Sequence, residues 1–412
     1  MAPLADGTVA TSTNPLEPLA FVASTAIPPR ADTPAGTIDL RTEIRALDGM
    51  QKEAVVLQRS PRGATWRLVS DEGPYLNGTD YAPYPLAFFA AGMQFCFLNQ
   101  LAREAHAAGV GWGSVVVRLD NWYSMTGSAL RGDMVGGARP ADLLVELGSD
   151  APPDVVARVV SVAAATSPAL AVLRDPMNNT FSLVANGREV PLADLRAAPL
   201  AGVVDPRDTF DALRPASPPT WWPEIITKLT AAGAVHGVSG GAGTSLQPQQ
   251  KRILHVHSVG RMIDDARLET EVRLIHPIGS TFRFLGEGWR AEGHADSAPP
   301  ALAYLAAGIG FCFMTQLGRY AHIVKQRVRA VRAVQDCAFQ PRHDGRWTAR
   351  PVETHVFLDA DEPDGAAARL VRMGEQTCFL HAAMRGGFQT RVRATLNGQE
   401  LPLDSGETGT TD

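Results

Sequence analysis

Two cysteines in long apolar runs are the residues of this sequence best suited to covalent chemistry. Cys96 is followed four and seven residues later by Gln100 and Arg103. At about 100° per helical residue, Gln100 lies about 40° and Arg103 about 20° from Cys96 around the helix, so the three share one face. A cation beside a thiol favours the nucleophilic thiolate. The same face could instead bind an anion, or the cysteine could be a small core residue.

The same polar face occurs again in the second half of the chain. A shift of 216 residues aligns 81–106 with 297–322 without a gap, and 15 of the 26 positions are identical. The shift pairs Cys96 with Cys312, while neighbours on other faces vary. Recurrence therefore favours a functional role for both cysteines, with candidate substrate-binding residues at Gln100, Arg103, Gln316 and Arg319.

The repeat extends well beyond this helix. The shift of 216 also pairs Arg45 with Arg261, and a shift of 211 carries Ser167 onto Cys378. Each half is thus a copy of one unit of about 150 residues. Composition predicts five segments: a flexible tail (1–36), the first unit (37–199), a Pro/Gly-rich connection (200–250), the second unit (251–403) and a C-terminal tail (404–412).

Periodicity predicts an α+β fold for each unit. Alternation in 64–69 and 281–285 is typical of strands, and 115–117, 143–147 and 353–358 are further strands. A central helix is expected from Pro85 to His106, and second helices at 153–166 and 365–377. We expect a strongly bent antiparallel sheet packed on the two helices. Within the connection, Trp221 and Trp222 indicate a short docked helix.

The remaining cysteines and histidines have different expected roles. If Cys312 and Cys378 meet, the second half could form a sulfenic acid and condense it to a disulfide, whereas the hydroxyl of Ser167 could not take part in such a bond. Cys337 lies opposite Asn121 in the repeat and is expected to be structural. His106 and His322 fit a helix C-terminus, where the dipole favours them, better than a site.

Composition excludes several classes of function. The 412 residues are 45% hydrophobic and 20% charged, and the net charge of −5 comes without a long basic run, which argues against nucleic acid. We expect no membrane span, no metal site from the four cysteines and no cofactor. Sparse thiols and the lack of a secretory signal predict a cytoplasmic protein.

At these residues the sequence resembles the OsmC/Ohr superfamily, the osmotically inducible and organic hydroperoxide resistance proteins. The family's central-helix signature is similar to residues 89–97 and 305–313. A second family element, a cysteine followed seven and eight residues later by Arg-Gly, looks like Cys378 with Arg385 and Gly386. The two copies make this chain a divergent tandem member.

The resemblance implies a fold and a mechanism. Two family subunits interlock, so the tandem units are expected to form an intrachain pseudo-dimer or to pair as a homodimer. Cys312 would attack the peroxide, Cys378 would resolve it, and Arg261 would activate the thiolate, with Arg45 beside Cys96 in the other copy. Organic hydroperoxides are then the expected substrates and a dithiol the expected reductant.

Two departures from the family pattern keep other functions open. The glutamate that family peroxidases carry ten residues before the helix cysteine is replaced by Leu86 and Leu302. The proline after the resolving cysteine is absent after Cys378, whereas Ser167 keeps the proline and loses the thiol. The alternatives are a hydrolase or group-transfer enzyme with the helix cysteine as covalent nucleophile, and a non-catalytic small-molecule binding protein.

Overall fold

A computed structural model describes residues 14–24, 34–200, 202–216, 222–231, 250–291 and 297–403. It is a mixed α+β structure in which one order of elements occurs twice. The first series runs β1 (Ala20–Val22), β2 (Ile38–Ala46), β3 (Lys52–Ser60), β4 (Thr65–Ser70), α1 (Pro85–Ala108), β5 (Ser114–Gly127), β6 (Val135–Ala138), β7 (Asp142–Gly148), α2 (Pro153–Thr166), α3 (Pro168–Arg174), β8 (Thr180–Ala185) and β9 (Arg188–Glu189). A 3-10 turn spans Pro74–Leu76.

Two short helices follow, α4 (Arg207–Asp211) and α5 (Trp222–Ile225). The second series then repeats the order of the first, as the 216-residue shift predicts. It consists of β10 (Ile226–Thr230), β11 (Gln250–Met262), β12 (Arg267–His276), β13 (Thr281–Glu287), α6 (Ala301–Ile323), β14 (Val328–Pro341), β15 (Trp347–Ala349), β16 (Glu353–Ala360), α7 (Asp364–Thr377), α8 (Phe379–Gly386), β17 (Arg391–Leu396) and β18 (Gln399–Leu401).

Each of the two sheets contains strands from both halves of the chain. One has the order β1-β4-β3-β2-β14-β16-β8-β9, with β15 beside β14. The other has the order β10-β13-β12-β11-β5-β7-β17-β18, with β6 beside β5. The joins between halves are long antiparallel pairs, β2 with β14 and β11 with β5. Parallel pairs β16–β8 and β17–β7 replace the wholly antiparallel sheet that the sequence predicts.

The central helices pack against each other between the sheets. A Cβ added to Gly92 would lie 2.5 Å from the backbone nitrogen of Leu305, and one added to Gly308 would lie 2.6 Å from that of Phe89. Only glycine permits this close approach, which explains its presence at the same place in both copies. The helices thus lie at the centre of one continuous apolar core.

These helices are also long and apolar enough to cross a membrane by length and composition. In both, 94% of the most apolar window is buried inside the fold. Helices α2 and α3 pass the same test only as a pair bent by 66°. The core of the protein accounts for the apolar character of α1 and α6.

The structure departs from the composition-based boundaries at two short strands. β1 lies within the segment expected to be a tail, and β10 lies within the expected connection. They pair with β4 and β13, and their three and five residues are too few to show a period. The helix expected at 221–226 is observed as Trp222–Ile225. Trp221, the glycines at 237–243 and the 404–412 tail lie outside the described residues.

Candidate functional site

The two helix cysteines each meet the residue that precedes a short helix. Cys312 on α6 lies 3.3 Å from Cys378, measured between the sulfur atoms. At the matching place, the Ser167 hydroxyl donates to the Cys96 sulfur at 3.4 Å. One copy therefore holds a thiol–thiol pair and the other a thiol–hydroxyl pair.

The break between α7 and α8 brings Cys378 to the central helix. Cys378 has extended backbone angles, φ −70° and ψ 122°, so α7 ends there and α8 begins in a new direction. Burial and the neighbouring Cys312 thiol raise the pKa of Cys378 well above its usual value, while the backbone N–H groups of His381 and Leu380 act in the opposite sense. Cys378 is thus held as a neutral thiol, ready to react with an oxidised partner.

The structure directs both predicted activating arginines away from the cysteine helices. Ile44 lies against Gly310 on α6, so strand alternation turns Arg45 to the opposite face of the sheet. There its Nε donates to Glu53 at 2.7 Å. Gly260 likewise faces α1, and Arg261 is exposed on the other face. The expectation that these arginines lie beside the cysteines is corrected on this ground.

A buried lysine from the first half interacts electrostatically with Cys312. Lys52, at the start of β3, is 2% exposed, and burial lowers its pKa. Electrostatic interaction with Glu72, Asp71 and Cys312 acts in the opposite sense. Its Nζ donates to the Met50 carbonyl at 2.6 Å, which fixes the head group.

A buried glutamate completes this polar cluster. Glu72 accepts hydrogen bonds from the Thr315 hydroxyl at 2.8 Å and from the Tyr75 hydroxyl at 2.9 Å. Burial raises the pKa of Glu72, whereas the positive charge of Lys52 lowers it. Thr315 lies one helical turn after Cys312, so Glu72 ties a loop of the first half to the cysteine helix of the second.

The loop that carries Glu72 joins β4 to α1. Asp71 shapes it by accepting hydrogen bonds from the backbone N–H groups of Glu72, Thr79 and Tyr81 at 2.7, 3.1 and 3.0 Å. The side chain of Tyr123 approaches from β5, and its ring lies 5.7 Å from that of Phe379. Cys312 is 2% exposed and Cys378 is fully buried, so a substrate reaches them only when part of the surrounding structure moves.

The Cys96 site keeps only part of this charge pattern, since the buried Glu287 matches Asp71. The residues that match Lys52, Glu72 and Thr315 under the 216-residue shift are Leu268, Gly288 and Asn99. Cys96 instead receives hydrogen bonds from Ser167 and from the backbone N–H of Ala169, both at 3.4 Å. The two copies have the same frame and different chemistry.

The predicted substrate-binding residues are divided between the copies. Gln100 donates to the Thr166 hydroxyl at 3.1 Å, whereas Arg103 is exposed. Gln316 and Arg319 are both buried, and an Arg319 N–H donates to the Gln316 side-chain oxygen at 3.5 Å. Sequence reasoning missed Lys52 and Glu72, because both lie outside the helix motif and neither is repeated in the other half.

One group in the described residues brings three metal-ligating atoms within 4.8 Å of one another: Asp336, Glu353 and His355. Asp336 is bound by two guanidinium groups, from Arg41 at 2.7 Å and Arg59 at 2.9 Å. Two adjacent positive charges oppose a metal cation there, so this group is a buried ion network.

His381 is a fully buried histidine beside the cysteine pair. It lies three residues after Cys378, and its ring centroid is 5.5 Å from Phe181 and 5.4 Å from Phe313. Neither ring nitrogen has a hydrogen-bond partner, and burial lowers the pKa to about 3. The residue in the first copy that matches it under the 211-residue shift is Leu170.

We expect the free energy of unfolding of His381→Leu to depend less on pH, below pH 6.5, than that of the parent protein. Between about pH 6.5 and pH 3, the unfolded chain holds a proton on His381 that the folded chain does not. The stability of the parent protein is therefore unaffected by His381 above pH 6.5 and falls as the pH drops below it. The loss at pH 5 is about 2 kcal/mol in the free energy of unfolding. Urea unfolding at pH 7 and pH 5 measures the difference. A leucine variant with the same pH dependence as the parent would contradict this assignment.

Comparisons with known proteins give little further guidance. No family model matches the chain, and none of the curated proteins matches it. Among solved structures, it is similar to an OsmC-like hydroperoxide resistance protein from Jannaschia sp. CCS1, with 20% identity and a TM-score of 0.24. The match covers 36% of this chain and 96% of that one. The site must therefore be interpreted from its own geometry.

Proposed function

We propose that this protein is a thiol-dependent peroxidase of the OsmC/Ohr type, which reduces organic hydroperoxides at Cys312 and Cys378. The observation that carries the proposal is the 3.3 Å contact between the two sulfur atoms. The cysteines lie on separate elements, so folding alone brings them together. Cys312 also interacts electrostatically with the buried Lys52, a combination suited to a reactive thiolate.

The proposed reaction has three steps. The Cys312 thiolate attacks one peroxide oxygen, an S–O bond forms, the O–O bond breaks and the alcohol leaves after taking a proton. The Cys378 sulfur displaces hydroxide from the sulfenic acid, which forms an S–S bond and releases water. A dithiol reductant restores both thiols and becomes a disulfide itself. The Lys52 ammonium stabilises the negative charge before attack and on the departing oxygen.

Residues of both halves contribute to the site. We infer that the two units form within one chain the interlocked pair that family members form from two subunits. Lys52 and Glu72 come from the first half and the cysteines from the second, and both sheets join strands of the two halves. A chain with such a dithiol site is suited to a reducing compartment, and we place it in the cytoplasm.

The test is to treat the reduced protein with one equivalent of an organic hydroperoxide. We expect two of the four cysteines to be lost as free thiols, and peptide mapping to find a Cys312–Cys378 disulfide. Cys378→Ser should instead accumulate a sulfenic acid at Cys312, which a dimedone-type probe captures. Four thiols that persist after treatment, or oxidation confined to Cys337, would refute the peroxidase proposal.

A further inference from the structure

We infer that Asp120, His255 and His257 form a binding site for a zinc-type divalent metal ion on the outer face of the second sheet. The site lies where the two halves join, because β5 and β11 are paired there with Asp120 opposite His257 and Trp122 opposite His255. Residues two apart on a strand share a face, so both imidazoles project on the side away from α1. It is separate from the cysteine pair and independent of the proposed peroxidase function.

Both imidazoles contact one oxygen of the same carboxylate. His255 Nε2 lies 2.6 Å and His257 Nδ1 2.8 Å from the same oxygen of Asp120. The Trp122 ring stacks on His255 with centroids 5.0 Å apart and planes 14° from parallel, which holds that imidazole in place. A third imidazole, His276 on β12, has its centroid 6.4 Å from that of His255.

The chemistry of the donors favours zinc. Imidazole nitrogen and carboxylate oxygen are common zinc ligands, and three protein ligands with an open position are typical of an exposed site. To bind the ion, the carboxylate moves from between the rings, and each neutral imidazole offers one ring nitrogen as a ligand.

At the matching place in the other sheet, other residues stand where the second sheet has its two histidines. Under the repeat, Asp120 corresponds to Asp336, His257 to Arg41 and His255 to Asp39. Arg41 binds Asp336 at 2.7 Å in the same strand register, and Arg59 binds Asp39 at 2.7 Å. Guanidinium groups, which cannot bind a metal, therefore serve the structural purpose there. The second sheet has a carboxylate with two imidazoles instead.

The surrounding charges are compatible with a cation. Asp142 on β7 lies opposite Asp120 and is paired with Arg391, while Arg118 on β5 is paired with Glu146. On the other side, β12 presents Glu271 and Arg273 opposite Val259 and His257. These neighbours nearly balance, so the Asp120 carboxylate sets the local negative charge.

The experiment measures zinc binding to the chelator-treated, full-length protein by competition with a zinc indicator and by native mass spectrometry. We expect one zinc ion per chain, and a decrease in affinity of about 100-fold in His257→Ala and His255→Ala. A Cys312→Ser/Cys378→Ser double variant should keep the site, and His343→Ala, on an exposed turn, is the matched control.

Three results would overturn the inference. They are the absence of zinc binding by the parent protein, equal affinity in the His257→Ala variant, and loss of binding only when the cysteines are replaced. Thermal unfolding of the zinc-free histidine variants checks that they are folded, and their Tm should lack the increase that zinc gives the parent protein.

Discussion

Replacing Cys312 by serine should reduce hydroperoxide consumption to the uncatalysed rate, a fall of at least about 10³-fold when a dithiol is the reductant. A hydroxyl at this position cannot become an anion beside Lys52 at neutral pH, nor can it form a sulfenic acid. Serine is slightly smaller than cysteine, so the packing of α6 should change little. Loss of cumene hydroperoxide, followed over a range of protein concentrations, measures the effect.

Cys96→Ser is the matched control for this prediction. The two cysteines occupy equivalent positions on equivalent helices, and both are buried. Since Cys96 has Ser167 as its neighbour and Leu268 where Lys52 would be, its replacement should leave turnover within about twofold of the parent. Equal loss in both variants would show that the copies act together and would contradict the assignment of one active copy.

The repeated order of elements could be predicted from sequence because identity in the helix region fixes the register of the two halves. Apolar alternation then locates strands such as β13, along which buried and half-buried residues alternate. The same reasoning fails at β1 and β10, which are short edge strands beside prolines. It also fails at the sheet joins, since nothing in a strand's own sequence shows that β2 pairs with β14 of the other half.

The cysteine pair was accessible to sequence reasoning, and its charged neighbours were not. Cys312 and Cys378 occupy repeat positions, so a comparison of the two halves directs attention to the change from Ser167 to Cys378. Lys52 and Glu72 differ from their matched residues, Leu268 and Gly288, and therefore have no repeat signal. Arg45 and Arg261 do have one, yet strand alternation turns them to the other face.

The contrast between the copies has a physical reason. A buried ammonium needs negative partners, because leaving one unpaired in the core costs several kcal/mol. The first half supplies Lys52 with Glu72 and Asp71, and Thr315 and Tyr75 hold the glutamate in place. Lysine without such neighbours would destabilise the Cys96 site. The Cys96 site accordingly has Leu268 in place of the lysine and Ser167 in place of the second thiol.

Replacing Lys52 by methionine should slow the reaction of Cys312 with hydroperoxide by about 10- to 100-fold at pH 7. The charge that favours the thiolate disappears, so the pH of half-maximal rate should rise by about one unit or more. Methionine retains most of the buried length, and Leu268 shows that the repeat accepts an apolar residue at this position. Stopped-flow measurement of the single-turnover rate from pH 5 to pH 10 tests both expectations.

Lys52→Arg separates the role of charge from that of packing. A guanidinium keeps the positive charge with a different shape, so the arginine variant should retain the parent's pH midpoint even if its Tm is lower. Because the methionine variant leaves Glu72 without its cation, that carboxyl should take up a proton, and Lys52→Met/Glu72→Gln should show the same pH midpoint as the single variant. A methionine variant with the parent's pH profile would show that Lys52 only supports the fold, and the thiolate would then have to be stabilised by the backbone of α6 and its neighbours.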